Sequence, residues 1–297
     1  MDDLNKILLI IPYRGIGDII FHIPIFKSIY NTYKNKITII TNKANKSDYL
    51  LKNEEYINDI IFENFDRENL LKNSISLIKK VNNINPDLMF LTHGSKRLVF
   101  PLFFSNPKKK IYFGRHSNNE DLASFLVNEY KTKFRSDNFI NEYNLKNFNA
   151  SNTNSILLNI DSHHNQNNWG EENFINLTDK LLSDYKTFKV YINMSPNNKI
   201  YFENIIEKFK NNKEVIFLYN YSFDQILNII LNCKFVIGNE SGPICISALF
   251  KKLTFSFFDE KTTAKSSKTI FENVNMYQKS ISVDNFYSDF QNYIKEN

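Results

Sequence analysis

The sequence predicts an α/β protein with two parallel-sheet domains, and three observations support this. Short apolar runs of strand length alternate with helical patterns through both halves of the chain. In each half, one apolar run breaks at a glycine-containing turn that leads into a helix, at residues 14–18 and 238–243. The length of 297 residues exceeds the usual size of a single core and suits two domains of about 150 residues each.

The first half predicts five strands separated by helices. One helix is predicted over residues 70–82, where Leu71, Ile75, Ile78 and Val81 recur at helical spacing. Strands connected in this way by helices pair in parallel. The predicted strands cover residues 6–11, 37–41, 59–62, 88–92 and 110–113.

The second half repeats the pattern, with strands predicted at 155–161, 189–193, 215–219, 235–238 and 253–257. The intervening region 117–154 is polar, lacks glycine and proline, and carries no clear strand. We therefore predict a boundary near its end, with domains at 1–150 and 151–297. Phe286, Phe290 and Tyr293 predict a last helix over 285–296, and one placement for it is across the first domain.

Composition narrows the class of protein. Hydrophobic residues make up 42% and charged residues 23% of the chain, enough for packed cores and unlike a disordered protein. The net charge of +5 favours anionic partners, and phosphorylated small molecules, an acidic membrane face and nucleic acid all fit it. The two cysteines, Cys233 and Cys245, exclude a disulfide scaffold and a cysteine-rich zinc site. We expect a reduced, cytosolic protein.

No targeting or spanning segment is predicted. Asp2 and Asp3 stand where a signal peptide would be basic, and Arg14 and Asp18 interrupt the first apolar run. No stretch reaches the roughly 20 apolar residues that cross a bilayer. Contact with a membrane would therefore be peripheral.

The two glycine turns are candidate ligand sites, because ligands of open α/β sheets bind at the carboxyl ends of the strands. A helix that begins there directs unpaired backbone N–H groups at the ligand. The first turn is not a Walker loop, since no Gly-Lys-Ser/Thr follows it. Nor is it a dinucleotide fingerprint, since Ile20 occupies the position of the third glycine.

The ordered motifs resemble glycosyltransferase family 9, the heptosyltransferases and related enzymes that build bacterial lipopolysaccharide cores. The resemblance begins at Gly17 and Asp18, with Pro24 six residues after the aspartate. It ends at Glu-Ser-Gly-Pro, residues 240–243, similar to the family's Asp-Ser/Thr-Gly-Pro signature. Between them lie Pro-Asp-Leu-Met-Phe-Leu-Thr-His-Gly at 86–94, Lys-Ile-Tyr-Phe-Gly at 110–114 and Trp-Gly-Glu-Glu-Asn-Phe at 169–174.

This resemblance implies a GT-B architecture, in which two Rossmann-like domains face a central cleft, with the acceptor on the first and the nucleotide sugar on the second. It implies an inverting, metal-independent transfer of a sugar from a nucleotide-diphosphate donor. Heptose is the first candidate for the sugar, with ADP-heptose as the donor. The acceptor would be an anionic glycan or glycolipid, such as a lipopolysaccharide or lipooligosaccharide core. No cofactor and no nucleic acid are expected. The enzyme would be cytoplasmic, with peripheral contact at the cytoplasmic face of the inner membrane.

By the same resemblance Asp18 is the catalytic base. The alternative for Asp18 is to cap the helix that follows it, and both roles are compatible. The acceptor would meet the ends of strands in the first domain. The residues expected there are Arg14, Gly17, His93, Lys96 and Arg97.

The second turn is expected to bind the donor, with Ser241 capping a helix that begins at Gly242 and amide groups contacting the diphosphate. The donor set is Glu240, Ser241, Gly242, Pro243 and Trp169. Trp169 either stacks on the base or anchors packing. His163 and His164 are adjacent and lack a spaced third ligand, and Asp-x-Asp does not occur, so no metal site is expected.

Four residues depart from the family pattern. Glu240 replaces aspartate, Cys245 replaces histidine, Leu253 replaces proline and Asn168 replaces lysine. These departures leave the identity of the sugar open, and two other functions remain possible for the chain as a whole. One is a catalytically weakened GT-B-fold protein that binds nucleotide sugars or glycans. The other is a UDP-sugar epimerase.

Overall fold

A computed structural model describes residues 4–116, 120–134, 138–162, 168–259 and 271–296. The chain divides into two compact units, residues 1–147 and 148–297. Each unit contains a parallel sheet whose strands are connected by helices.

The first unit contains a sheet of order β3-β2-β1-β4-β5 in which every pairing is parallel. Chain order alternates strand and helix. The elements are β1 (Ile7–Ile11), α1 (Ile16–Phe21), α2 (Ile23–Tyr33), β2 (Ile37–Thr41), α3 (Ser47–Leu51), β3 (Ile57–Phe62), α4 (Leu70–Ile84), β4 (Leu88–Leu91), α5 (Lys96–Phe103), β5 (Lys109–Tyr112) and α6 (Leu122–Phe134).

The second unit contains a sheet of order β11-β10-β9-β6-β7-β8, again parallel throughout. Counted from its own first strand this is the doubly wound 3-2-1-4-5-6 order of Rossmann folds. The elements are β6 (Thr153–Asn159), α7 (Glu171–Asp184), β7 (Lys189–Asn193), α8 (Glu203–Phe209), β8 (Val215–Phe217), α9 (Phe223–Asn232), β9 (Cys233–Asn239), α10 (Gly242–Leu249), β10 (Leu253–Phe258), β11 (Val274–Gln278) and α12 (Val283–Glu296).

The predicted parallel α/β class is confirmed, and each predicted strand overlaps an observed one within two residues at either end. Two elements lie outside the predictions, the edge strand β11 and helix α6. The predicted helix over 70–82 is α4, but the residues that it buries are not all the ones whose spacing predicted it. Leu77 and Val81 are buried, whereas Leu71 is 81% and Ile75 53% exposed.

The first core lies against the sheet. Both faces of β1 are buried, as is typical of a parallel strand covered by helices on both sides. On one face, the side chains of α4 and α5 pack on β1 and β4, with Leu77 and Val81 beside Leu98 and Leu102.

The second core is rich in aromatic residues. Phe255 and Phe257 of β10 contact Phe286 of α12 at ring-centroid distances of 6.0 and 4.9 Å. Phe290 lies over Phe235 at 5.4 Å. The predicted placement of the last helix across the first domain is therefore wrong. Its aromatic residues pack in the second unit, where α12 covers one face of the sheet.

Across the described residues, no helix is both long enough and apolar enough to cross a membrane.

Candidate active site

The carboxyl ends of β1, β4 and β5 adjoin one another at one edge of the first sheet. Asp18 lies there, in the first turn of α1, three residues after the Gly15 N-cap. Its Oδ2 accepts a hydrogen bond from the Gly15 backbone N–H at 2.8 Å. The Asp18 side chain therefore does cap the start of α1, through its Oδ2 atom.

The surroundings of Asp18 disfavour its charge. Burial raises the pKa of Asp18 to about 6, while the Gly15 hydrogen bond and the nearby His116 act in the opposite direction. Burial, with a smaller contribution from Asp18, also raises the pKa of Tyr13. A carboxyl with a pKa close to neutrality is suited to accept a proton in catalysis.

A buried polar network supports the turn that carries Asp18. His22, fully buried, donates from Nδ1 to the Asp18 carbonyl at 2.6 Å. Its Nε2 lies 3.0 Å from Thr92 Oγ1, after β4. Burial lowers the pKa of His22 to about 4, so the ring is neutral and Nε2 accepts from the threonine hydroxyl. Tyr13 donates to the Thr92 carbonyl at 3.2 Å.

Two of the predicted acceptor residues, Arg14 and Arg97, line one cavity at this edge. The cavity has a volume of about 420 Å³. Arg14 forms an exposed ion pair with Asp66 at 3.0 Å. The Nη1 atom of Arg97 is buried and has no hydrogen-bond partner in the described part of the chain. The full lining is Pro12, Arg14, Phe65, Asp66, Arg67, Glu68 and Arg97.

The other three acceptor candidates lie on neighbouring turns. Gly17 is in the first turn of α1, and Lys96 is the exposed first residue of α5. His93 follows β4, is partly buried, and accepts from the Ser95 N–H at 3.2 Å through Nδ1. Burial lowers the pKa of His93, and the charges of Arg97 and Arg115 add to this effect.

Arginine distribution is a signal that the sequence reasoning missed. All five arginines of the chain, at 14, 67, 97, 115 and 135, lie in the first unit. Arg67 and Arg115 follow the ends of β3 and β5, as Arg14 follows β1 and Arg97 follows β4. Guanidinium groups bind carboxylates and phosphates in a bidentate manner. The four described arginines after β1, β3, β4 and β5 therefore make this edge of the first sheet suited to carboxylate or phosphate groups.

The carboxyl edge of the second sheet is built on buried asparagines. Asn159, at the end of β6, donates to Ser241 Oγ at 2.8 Å and accepts from Asn193 at 2.7 Å. Asn239, at the end of β9, donates to the Ile160 carbonyl at 2.7 Å and accepts from the Trp169 N–H at 2.8 Å. These bonds fix the loops after β6 and β9 to one another.

Close approach of the two strands is what requires a glycine at position 238. A Cβ atom there would lie 2.2 Å from the Asn159 carbonyl oxygen. The backbone of Gly238 is outside the left-handed region, which among the described glycines only Gly170 occupies. The glycine therefore permits packing of β9 on β6 rather than an unusual turn.

The predicted cap at Ser241 is wrong in detail. Ser241 does occupy the N-cap position of α10, but its side chain makes no capping bond and instead donates to the Asn239 carbonyl at 3.0 Å. Gly242 and Pro243 begin the first turn; because proline has no N–H, the first-turn N–H groups without a partner inside the helix are those of Gly242 and Ile244. Glu240 is partly buried, and burial raises its pKa.

Of the two roles predicted for Trp169, stacking on the nucleotide base or packing in the core, the structure shows packing. Its ring is 3% exposed and stacks on Phe257 at a centroid distance of 4.0 Å. Its Nε1 donates to the Ile281 carbonyl at 2.9 Å. An indole buried in this way is not open to stack on a nucleotide base.

The departures from the family pattern have structural explanations at two positions. Asn168 accepts from Ser162 at 2.8 Å and from Asn239 at 3.3 Å, so it belongs to the asparagine network. Cys245 is buried in α10, as expected of a small apolar residue. No group of three potential ligands (His, Cys, Asp or Glu) that could hold a metal occurs in the described residues. His163 and His164 lie outside them.

Comparison with solved structures matches the whole chain. A glycosyl transferase family 9 protein from Veillonella parvula DSM 2008 superposes with a TM-score of 0.80 at 12% identity, covering 99% of each chain. The chain has the fold of a family 9 glycosyltransferase. E. coli ADP-heptose lipopolysaccharide heptosyltransferase II matches with a TM-score of 0.73 at 12% identity, over 98% of this chain and 99% of the other. E. coli heptosyltransferase WaaC with ADP matches with 0.73 at 10% identity, over 97% and 99%. No protein-family model and no curated protein sequence matches the chain.

Proposed function

We propose that this protein is an inverting, metal-independent glycosyltransferase that moves a sugar from an ADP-linked donor to an anionic lipopolysaccharide or lipooligosaccharide core. Heptose is the first candidate for the transferred sugar. The observation that carries the proposal is Asp18, a carboxyl with a pKa raised to about 6 at a strand end of a family 9 glycosyltransferase fold. ADP as the donor nucleotide is supported by the heptosyltransferase whose structure was solved with ADP. The reaction would take place in the cytoplasm, at the inner face of the membrane that holds the acceptor.

Asp18 would act as the general base. Deprotonated Asp18 removes the proton from an acceptor hydroxyl as its oxygen attacks the anomeric carbon. The new glycosidic bond forms on the face opposite the departing diphosphate, and the anomeric configuration inverts. The His22 and Thr92 network supports this step by holding the backbone of the Asp18 turn in place.

The arginine cavity would hold the acceptor. Its guanidinium groups suit the carboxylates and phosphates of a core oligosaccharide. The unpartnered Nη1 of Arg97 supports this role, because a buried donor without a partner is costly unless a ligand satisfies it. Gly17, His93 and Lys96 lie on the turns beside it.

The turn at 240–243 would hold the donor. The N–H groups that begin α10, with the positive end of its dipole, are suited to a nucleoside diphosphate. The asparagine network keeps this turn in place through Asn159 and Ser241. Glu240, with its raised pKa, is suited to hydrogen-bond a ribose or sugar hydroxyl.

The proposal is tested by the Asp18→Asn variant, with Asp59→Asn on the exposed side of β3 as a matched control. With ADP-heptose and a lipopolysaccharide core acceptor, Asp18→Asn is expected to lower kcat by about 10²- to 10⁴-fold, the contribution of a general base. Asp59→Asn should leave kcat unchanged. EDTA should leave the wild-type rate unchanged.

Three results contradict the proposal. Equal rates for Asp18→Asn and wild type remove the base assignment. Isomerisation of a UDP-sugar without acceptor identifies an epimerase. Donor binding by calorimetry without turnover on any offered acceptor identifies a binding protein.

A further inference from the structure

One surface of the first unit combines exposed apolar side chains with lysines. Three phenylalanines of α5 and its C-cap are exposed, Phe100 by 69%, Phe103 by 71% and Phe104 by 62%. On α4, Leu71 and Ile75 are also exposed. We call these five residues, together with the exposed Lys72, Lys79, Lys108 and Lys109 of the same segment, the basic aromatic face.

The two helices present these residues side by side. Both pack on the same face of the sheet, through Leu77 of α4 and Leu98 of α5. Leu71, Ile75 and Asn82 follow one side of α4 at helical spacing. Asn82 accepts from the Asn106 N–H at 2.9 Å, so the C-terminal end of this side of α4 contacts the loop after α5.

The aromatic part of the face is internally packed. Phe104 contacts Phe100 and Phe103 edge-on, at centroid distances of 5.4 and 5.7 Å. Lys110 lies 5.9 Å above the Phe103 ring and donates to the Phe103 carbonyl at 2.9 Å. The three rings therefore form one cluster through their contacts with Phe104. Exposed clusters of this kind are typical of interaction sites.

The charge around the face is strongly one-sided. From residue 69 to residue 119 the sequence has nine lysines and arginines and a single acid, Asp87. The net charge of the whole chain is only +5, so this segment exceeds it. Lys72, Lys79 and Lys109 are exposed. A second copy docked on the same face would bring like charges together, so the charge favours an anionic partner.

We propose that the basic aromatic face docks the protein on a bilayer of anionic phospholipids, with the phenylalanines in the acyl boundary and the lysines at the headgroups. Leu71 and Ile75 favour hydrocarbon as the partner, because aliphatic side chains do not stack on nucleic-acid bases. The choice of a bilayer also rests on the proposed function, whose acceptor is lipid-anchored. Arg97 in the first turn of α5 lines the acceptor cavity, so the same helix would serve lipid and acceptor.

The test is co-sedimentation of the full-length protein with vesicles, without donor or acceptor. Vesicles contain phosphatidylcholine alone or equal parts phosphatidylcholine and phosphatidylglycerol. Wild type should bind the anionic vesicles at least about tenfold more strongly, and high salt should weaken this binding. A Phe100→Ser, Phe103→Ser, Phe104→Ser variant should lose about tenfold or more in partitioning.

Matched variants separate the face from general surface effects. Ile200→Ser with Tyr201→Ser changes two equally exposed apolar residues of the second unit and should leave binding unchanged. Lys72→Glu with Lys79→Glu should weaken binding about tenfold or more, because each lysine near an anionic surface contributes about fivefold. Lys186→Glu with Lys213→Glu, exposed in the second unit, should have a smaller effect. Circular dichroism confirms that each variant is folded.

Several outcomes overturn the proposal. They are equal binding of wild type to both vesicle types, unchanged binding of the phenylalanine variant, self-association that the phenylalanine variant abolishes, and displacement of the protein from vesicles by a single-stranded oligonucleotide. Because no sugar donor is present, a negative vesicle result leaves the transfer reaction untouched. Conversely, an inactive enzyme that binds vesicles through this face contradicts only the sugar-transfer proposal.

Discussion

At the scale of single residues, Asp18 connects chemistry with stability. Burial opposes its ionisation, and the Gly15 N–H compensates this only in part, so its pKa remains raised to about 6. The unfolded chain has an ordinary aspartate pKa near 4. A buried group whose ionised form the fold disfavours is a candidate functional residue. Asp18 is such a group, and it lies in the first turn of α1, after the end of β1.

The raised pKa predicts how an Asp18→Asn variant changes stability with pH. Between about pH 4 and pH 6 the native state retains a proton that the unfolded state has lost, so the wild-type free energy of unfolding falls as pH rises through this window. The stabilisation that protonated Asp18 gives the native state is fully present below about pH 4 and is lost above about pH 6. Asp18→Asn removes this loss and should be more stable than wild type near pH 7.5, by about 1 to 3 kcal/mol. Below about pH 4 the difference should vanish. Urea unfolding of both proteins at the two pH values measures it, and a variant less stable at neutral pH would contradict the burial argument.

The pH dependence of activity follows from the same group. If Asp18 is the base, kcat/KM falls about tenfold per pH unit below about pH 6, where the carboxyl is protonated. His116 lowers the pKa of Asp18 electrostatically, so His116→Gln should move this acid limb to higher pH. Asp59→Asn serves as control and should not move it. A limb that stays in place when His116 is removed would show that another group titrates.

Residue roles were the least predictable part of the site. Trp169 and Ser241 occur in a motif that resembles a donor site, yet one packs on Phe257 and the other bonds to the Asn239 carbonyl. A motif records residue type and order, whereas these roles depend on which neighbours the fold supplies. His22 was missed for the same reason, since Thr92, seventy residues later, determines its environment.

At the scale of elements, the strands were predictable because parallel strands buried on both faces appear as continuous apolar runs, as in β1 and β2. The edge strand β11 has mixed burial and produces no such run. The buried face of α4 was also less predictable. Its first turns carry apolar residues that contribute little to the core, and Leu71 and Ile75 are exposed as part of the basic aromatic face.

The packing of β9 on β6 predicts a large effect of one methyl group. In Gly238→Ala the added Cβ would lie 2.2 Å from the Asn159 carbonyl, and backbone must move to relieve the contact. We expect a loss of about 3 kcal/mol or more in the free energy of unfolding, at or above the upper end for overpacking. Gly114→Ala is the control, because its Cβ would meet the flexible Glu129 carboxylate at 3.3 Å. Chemical unfolding compares the two, and similar losses would show that strand contact is not the cause.

At the scale of the whole molecule, the two units differ in chemistry although each contains a parallel sheet. All arginines are in the first unit, whereas a buried asparagine network organises the strand ends of the second. The first edge is therefore suited to anionic groups through side chains. The second is suited to a diphosphate through backbone N–H groups at α10. This division agrees with an acceptor on the first unit and a nucleotide sugar on the second, as the proposed function requires.

Separate cores predict separate cooperative units. Leu77 in α4 and Leu181 in α7 are both buried helix leucines, but they belong to different core clusters. Leu77→Ala and Leu181→Ala should each cost about 2 to 5 kcal/mol in the unit that contains it. Native-state hydrogen exchange should then show faster exchange of the most protected amides in β1 and β4 for Leu77→Ala, and in β6 and β9 for Leu181→Ala. The most protected amides of the other unit should change by less than about 0.5 kcal/mol, as for distant independent sites. Equal acceleration in both sheets by either variant would show that the two cores open as one, and the assignment of separate roles to separately stable units would have to be abandoned.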